Sequence, residues 1–334
     1  MKAIAQDVYG SADVLRLCEV DQPSVGEDQV LVQVRAAGVD PGVWVCMTGR
    51  PYGARVAFGL RRPRVAVRGR ALAGVVSAIG SGVRRFQPGD EVYGTGAGGT
   101  FAEYATASCE KLAPKPPSLS FEQAAAVPIS GVTALECVRD GGRVRAGQRV
   151  MVVGAGGGIG SFAVQIAKAF GARVTGVCST GKAELVRSLG ADEVIDYTRE
   201  EIDRDGPRHD VVIDIAGCRP LSLLRRALTP RGTLVLAGGG HDAGGLLGGY
   251  TRQLRAPLVS MFTSQRLRGL ASRERAQELE ELGRLIESGA VTPVVDRTYR
   301  LADAPDAIRH LAEGHPTGKI VIAMGSGAGR TPGD

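Results

Sequence analysis

Apolar and polar positions alternate with period two over Val30 to Ala36 (VLVQVRA), and a short apolar run, Gly74 to Ile79 (GVVSAI), follows a basic stretch. Alternation of this kind predicts strands with one buried face. Pro88-Gly89-Asp90 supplies turn chemistry ahead of Glu91-Val92-Tyr93, so the first hundred residues predict a β-rich, partly closed unit. Pro114 to Pro117 then punctuates the chain, and Ser120 with Gln123 opens an Ala-rich helix through a capping box.

From Arg149 the rhythm changes. Arg149 to Val153 predicts a buried strand, and Ile159 to Phe170 a helix with Ile159, Phe162, Ala163, Ile166 and Phe170 on one face. Strands at Arg173 to Val177, Glu193 to Asp196, Asp210 to Ile215 and Gly232 to Ala237 alternate with helices at Lys182 to Leu189 and Leu221 to Leu228. That repetition predicts a parallel, doubly wound α/β sheet. Arg273 to Ser288 predicts an amphipathic helix, and Lys319 to Ala323 a last strand. Gly49 to Arg70 fits neither rhythm. It carries seven arginines and no acid, and predicts a long surface excursion with one short helix.

Composition narrows the classes. A chain of 334 residues has room for two domains. No apolar run approaches membrane-span length, and Asp7 interrupts any apolar leader, so a soluble cytoplasmic protein is expected. The net charge is +6, but the basic residues are mostly Arg and aromatics are 4%, without the interleaving that stacks bases. Nucleic-acid binding is not expected. Six cysteines without a CxxC pair predict free, mostly buried thiols.

The sharpest local signal is the turn after Val153. Ala155-x-Gly157-x-x-Gly160, with Gly154 ahead of it, follows a predicted strand and opens a predicted helix. Glycines let the backbone turn tightly and approach a pyrophosphate, while the helix N-terminus offers free amides to that anion. Gly154, Ala155, Gly156, Gly157, Gly158 and Ile159 are therefore candidate coenzyme contacts. NAD-type sites place an acid at the end of the second strand. Here that strand ends Cys178-Ser179-Thr180-Gly181-Lys182, with no acid. Hydroxyls and a lysine suit a 2′-phosphate, which predicts NADPH; otherwise Lys182 merely begins a solvated helix.

With these residues on the page, the chain resembles the medium-chain dehydrogenase/reductase superfamily, in its zinc-independent quinone oxidoreductase and enoyl reductase branch. The carriers are AAGVDP (Ala36–Pro41), FQPGDEVYG (Phe86–Gly94), GGTFAEY (Gly98–Tyr104), LSFEQAAAVPISGVTAL (Leu119–Leu135), the glycine turn, LGADEVIDY (Leu189–Tyr197), LTPRGTLVLAGGG (Leu228–Gly240) and GKIVI (Gly318–Ile322). The resemblance implies a GroES-like β-rich substrate domain from residues 1–122 and 292–334 around a Rossmann coenzyme domain of residues 123–291. It implies a homodimer or homotetramer. It also implies that Thr133 approaches the nicotinamide ribose and that Cys178, Ser179, Thr180, Lys182 and Tyr197 surround the adenosine phosphate. Ala216, Gly217, Ala237, Gly238 and Gly239 would then lie along the nicotinamide half, with Lys319 near the cleft.

Zinc-dependent relatives of that superfamily use Cys, His, Glu and a later Cys or Asp as ligands. Here those positions read Asp40 and Gly69-Arg70-Ala71, the structural cysteines are missing, and His209, His241, His310 and His315 belong to no ligand motif. No metal is expected, and each histidine reads as a lone surface or loop residue. Asp40 either hydrogen-bonds the nicotinamide or caps the turn before Pro41. Tyr52 matches in position a proton-donating tyrosine of enoyl reductases, or packs under the Arg-rich stretch. Val43 and Ala71 stand where relatives carry acids. The implied activity is NADPH-dependent hydride transfer to a quinone, enone or enoyl thioester. The alternatives are an NADPH-binding protein with little turnover and a biosynthetic reductase with one dedicated substrate.

Overall fold

The computed structural model describes residues 1–238, 248, 251–314 and 316–325. Three sheets organise them. Strands β1 (Lys2–Ala5) and β2 (Arg16–Glu19) form an antiparallel ribbon. The second sheet is built on β3 (Gln29–Val39), which pairs antiparallel with β4 (Ala71–Ile79), with β6 (Tyr104–Ser108) and with β15 (Lys319–Ala323). β5 (Glu91–Thr95) and β7 (Leu112–Pro114) extend it on one side, and β14 (Val295–Arg300) closes the other.

The third sheet is parallel throughout and holds β8 (Arg149–Val153), β9 (Arg173–Cys178), β10 (Glu193–Asp196), β11 (His209–Asp214), β12 (Leu228–Leu236) and β13 (Arg266–Gly269). Its order, β10-β9-β8-β11-β12-β13, reverses direction beside β8. In open α/β sheets a ligand crevice forms at such a reversal, outside the carboxyl ends of the strands. The predicted α/β class, a Rossmann sheet plus a β-rich unit, is what the chain forms.

Helices α3 (Phe121–Ala125), α4 (Ser130–Glu136) and α9 (Ala276–Glu287) lie between the two large sheets. Ser120 and Gln123 make the expected capping box. The contact with α3 explains why β3 is longer than its alternating stretch. A Cβ on Gly38 would lie 2.5 Å from the carbonyl oxygen of Ala125, so Ala36 to Val39 are covered on both faces and alternation ends there. One core cluster runs through this junction, joining Ala36, Tyr93 and Val321 to Leu135, Phe162 and Leu282. The Tyr93 hydroxyl donates to Leu279 O at 2.5 Å and ties β5 of the second sheet to α9.

Several expectations need correction. The thiols are all free, but only Cys137 and Cys178 are buried; Cys18, Cys46 and Cys109 are half-buried and Cys218 is exposed. His209 is buried at the start of β11, and His310, on α10 (Ala304–Ala312), meets the Tyr299 hydroxyl at 3.0 Å, so neither is a lone surface residue. His241 and His315 lie outside the described residues. Strand β13 (Arg-Leu-Arg-Gly) escaped sequence reading because an edge strand has only Leu267 to bury. Helix α8 (Thr251–Met261) also went unpredicted. Among the described residues, no helix is long and apolar enough to cross a membrane.

Candidate functional site

The glycine turn leaves β8 at the reversal point. Gly154 adopts φ +90°, and its amide and that of Ala155 both donate to Val177 O at 3.0 Å. Gly157 then caps α5 (Gly158–Ala169) with no side-chain acceptor, so the first amides of a twelve-residue helix stay open to an anion. Gly160 has no substitute: a Cβ there would sit 2.0 Å from Gly154 O. A Cβ on Gly156 would strike the Lys182 stem at 2.8 Å, and one on Gly158 the Lys319 stem at 2.9 Å. Two lysines therefore flank a bare backbone cradle of the kind a pyrophosphate fits.

At one end stand the residues expected around the adenosine phosphate. Lys182 is half-buried, its Nζ donating to Pro316 O at 2.8 Å, and burial holds its pKa down while Asp296 opposes the shift. It is the N-cap of the helix Ala183–Ser188, but its ammonium is turned into the fold. Ser179 is partly exposed and Cys178 buried beside it. The Thr180 hydroxyl is turned to Asp196 at 2.5 Å, with Thr198 on the other carboxylate oxygen at 2.7 Å. Asp196 is an acid that reading along the second strand missed, because strand pairing alone sets it opposite Cys178. Tyr197 is exposed, and the Arg219 guanidinium stands 5.5 Å from its ring centre. Arg219 is a second cation that the sequence did not single out.

The other end is a row of alternating charges. Lys319, nearly fully buried, donates from Nζ to Val39 O at 2.8 Å. Burial lowers its pKa and neighbouring Asp40 opposes this. Asp40 is 1% exposed and is the N-cap of α1 (Pro41–Thr48), its Oδ1 accepting from Gly42 N at 2.9 Å. It caps the turn, as one of its two readings required. Its Oδ2 is buried with no partner among the described residues, so a ligand donor can still be accepted there. Arg70 follows: a Cβ on Gly42 would lie 2.8 Å from Asp40 Oδ1 and 3.7 Å from Arg70 Nη1. Arg70 Nη2 donates to Glu274 Oε2 at 2.7 Å.

The remaining candidates sort by position. Thr133, on α4, is nearly buried and returns its hydroxyl to Ile129 O at 2.7 Å. Ser130 on the same helix was missed; its Oγ lies 3.4 Å from the place a Gly158 Cβ would take. Ala216 packs against Gly154, and Gly217 (φ +71°) donates to Asp214 Oδ1 at 3.2 Å. Ala237 N donates to Asp214 O at 3.0 Å, and a Cβ on Gly238 would overlap Ile215 O at 1.8 Å. The ends of β8, β11 and β12 thus form one floor that admits no larger residue at Gly238. Gly239 lies outside the described residues.

Tyr52 is half-exposed, and guanidiniums of Arg50 and Arg55, both from the basic stretch, stand 5.6 and 5.0 Å from its ring centre. Val43 and Ala71 are buried apolar residues. Among the described residues, no three His, Cys, Asp or Glu side chains gather as a metal-ligand set. Arg70 is a permanent cation that cannot ligate a metal.

Comparison with known proteins is consistent with this geometry. Residues 26–117 match the model of the alcohol dehydrogenase GroES-like domain, and residues 189–322 match a model described as zinc-binding dehydrogenase. The mouse NAD(P)H oxidoreductase RTN4IP1, mitochondrial, is 32% identical over 96% of this chain and 89% of its own. The Arabidopsis thaliana NADPH-dependent alkenal/one oxidoreductase, chloroplastic, is 35% identical over 96% and 79%. The crystal structure of Escherichia coli quinone oxidoreductase complexed with NADPH superimposes with a TM-score of 0.83, at 25% identity, over 97% of this chain and all of that one.

Proposed function

This chain belongs to the zinc-independent branch of the medium-chain dehydrogenase/reductase superfamily and is an NAD(P)H-dependent oxidoreductase, and from that premise we propose that it uses NADPH to reduce a quinone or the double bond of an α,β-unsaturated carbonyl compound. The observation that carries this reading is the glycine cradle flanked by Lys182 on one side and the Lys319–Asp40–Arg70 row on the other. Relatives named for quinones and for alkenals or alkenones support the substrate class.

The preference for NADPH rests on Lys182 and Arg219, two cations able to hold a 2′-phosphate, with Asp196 held by Thr180 and Thr198. The reduced nicotinamide supplies the hydride when bound. The protein's part is placement. Gly154 to Ile159 seat the diphosphate, the Gly238 floor sets the depth of the ring, and Asp40 Oδ2 accepts from the coenzyme's polar edge. Arg70, partly exposed, steadies the substrate oxygen on which negative charge develops. A quinone takes its protons from water, whereas an enone needs one at carbon, which the Tyr52 hydroxyl or water delivers.

We assign residues 1–122 and 292–334 to the substrate domain and 123–291 to the coenzyme domain. We also propose a homodimer: Leu254, Leu258, Met261 and Phe262, 60–86% exposed, line α8 and its end beside β13, the open edge of the parallel sheet.

The test is NADPH consumption with a panel of naphthoquinones, 2-alkenones and enoyl thioesters. Turnover with any of these is expected, and Lys182→Ala should raise KM for NADPH about tenfold while leaving NADH nearly unchanged. Absence of nucleotide uptake at millimolar concentration sinks the reading; equal losses for both coenzymes remove Lys182 from the phosphate.

A further inference from the structure

The parallel sheet has a second end. The coenzyme turn leaves its C-terminal edge; at the opposite edge, where β8, β11, β12 and β13 begin, the chain forms a half-open cavity of about 360 Å³ whose arginines reach the surface. Arg143, Arg145, Arg231, Arg266 and Arg268 all line it, and Asp210 is the one carboxylate among them. Asp210 already has a partner, since its Oδ2 accepts from Arg149 N at 2.9 Å.

The five guanidiniums differ from their neighbours. Arg139, Arg208 and Arg226, nearby in the fold, each hold at least one carboxylate. None of the five has an ion-pair partner among the described residues. Converging like charges repel, and an anion at their centre relieves that repulsion while taking charge-assisted, bidentate hydrogen bonds. Gly141, Gly142 and Gly232 also line the cavity, where a Cβ would strike Val235, Val211 and Leu228 and so keeps this wall close to the core. The volume sits in the small-ligand range, which fits a compact molecule and not a polymer.

We propose that this cavity is a binding site for a small polyanion carrying two or more phosphate or carboxylate groups, separate from the coenzyme site. The whole length of β8, five residues and so about 16 Å, lies between the two. Arg266 and Arg268 alternate with Leu267, which enters the core with Leu234 and Ala256 of α8, so the cavity is on the sheet face away from α8 and from the apolar stripe assigned to the dimer. The inference does not depend on the substrate reading.

Calorimetry on the full chain, saturated with NADPH and held at constant ionic strength with sodium chloride, tests it with inorganic pyrophosphate in one arm and citrate in the other. One molecule of at least one probe is expected to bind per chain; which arm responds tells phosphate from carboxylate. The double variant Arg266→Gln/Arg268→Gln should weaken binding about tenfold or more, with Arg231→Gln as the alternative should that protein fail to fold. Arg61→Gln/Arg62→Gln, which removes equal charge from a remote exposed loop, should leave it unchanged. No heat beyond the chloride control in either arm overturns the proposal. So does an equal loss in the remote variant, or binding that appears only when NADPH is omitted.

Discussion

Arg70 Nη2 stands 2.7 Å from Glu274 Oε2, joining the start of β4 to the segment that leads into α9. Glu274 is nearly buried and held at φ +48°. Burial raises its carboxyl pKa and Asp40 pushes the same way, against the Arg70 charge. Removing the cation leaves a buried acid without its counter-charge. Arg70→Ala is therefore expected to cost about 1–3 kcal/mol of stability, discounted for the partial exposure of Arg70, and Glu274→Gln less. Urea unfolding of both variants checks this; an Arg70→Ala protein as stable as the parent would show that the pair contributes nothing.

The same pair bears on turnover. With Arg70 steadying the substrate oxygen, Arg70→Gln should lower kcat at least about tenfold and leave the NADPH dissociation constant nearly unchanged. A variant that loses coenzyme affinity instead would place Arg70 in binding and not in catalysis.

Two glycine substitutions should separate geometry from backbone freedom. Gly160→Ala drives a Cβ to 2.0 Å from Gly154 O and should abolish NADPH binding, read by fluorescence titration. Gly147→Ala also has a positive φ, +81°, but meets nothing within 4 Å. It should cost only about 1–2 kcal/mol of stability with coenzyme binding intact. Normal NADPH affinity in Gly160→Ala would refute the cradle.

Tyr52→Phe distinguishes the two proton sources. If the phenol delivers the proton, enone reduction falls by about 10²-fold or more while quinone reduction, served by water, keeps its rate. An equal effect on both substrates, or none on either, assigns the proton to solvent and Tyr52 to the loop.

His209 gives a pH signature far from the cleft. Burial, reinforced by Arg208 and Arg149, lowers its pKa from 6.5 to about 4, and its Nδ1 has no partner among the described residues. The depressed folded value means the unfolded chain takes the proton first. Stability is complete above about pH 6.5 and is lost as pH falls toward 4, by about 3 kcal/mol. Denaturant midpoints across that window should fall in the parent and flatten in His209→Gln; parallel profiles would count against the buried neutral imidazole.

The proposed dimer turns on Leu258, exposed at the centre of the α8 stripe. Leu258→Glu should yield monomers by light scattering at a concentration where the parent is dimeric. A parent that is itself monomeric, or a variant that still dimerises, moves the interface elsewhere.

The sequence alone determined what short-range chemistry can encode. Period-two alternation marked the β-rich unit, strand–helix repetition marked the parallel sheet, and the spacing Ala155-x-Gly157-x-x-Gly160 marked the glycine turn, because strand, turn and helix are contiguous in the chain and each needs particular residues at fixed intervals. Tertiary structure decided the rest. Asp196 reaches Thr180 only because β10 pairs with β9, and Glu274 meets Arg70 across 204 residues. The edge strand β13 and the five arginines around the basal cavity carry no pattern of their own along the chain. Periodicity reports which face of one element meets the core; it holds nothing about which distant elements share an edge, and that adjacency is what puts charges within reach of one another.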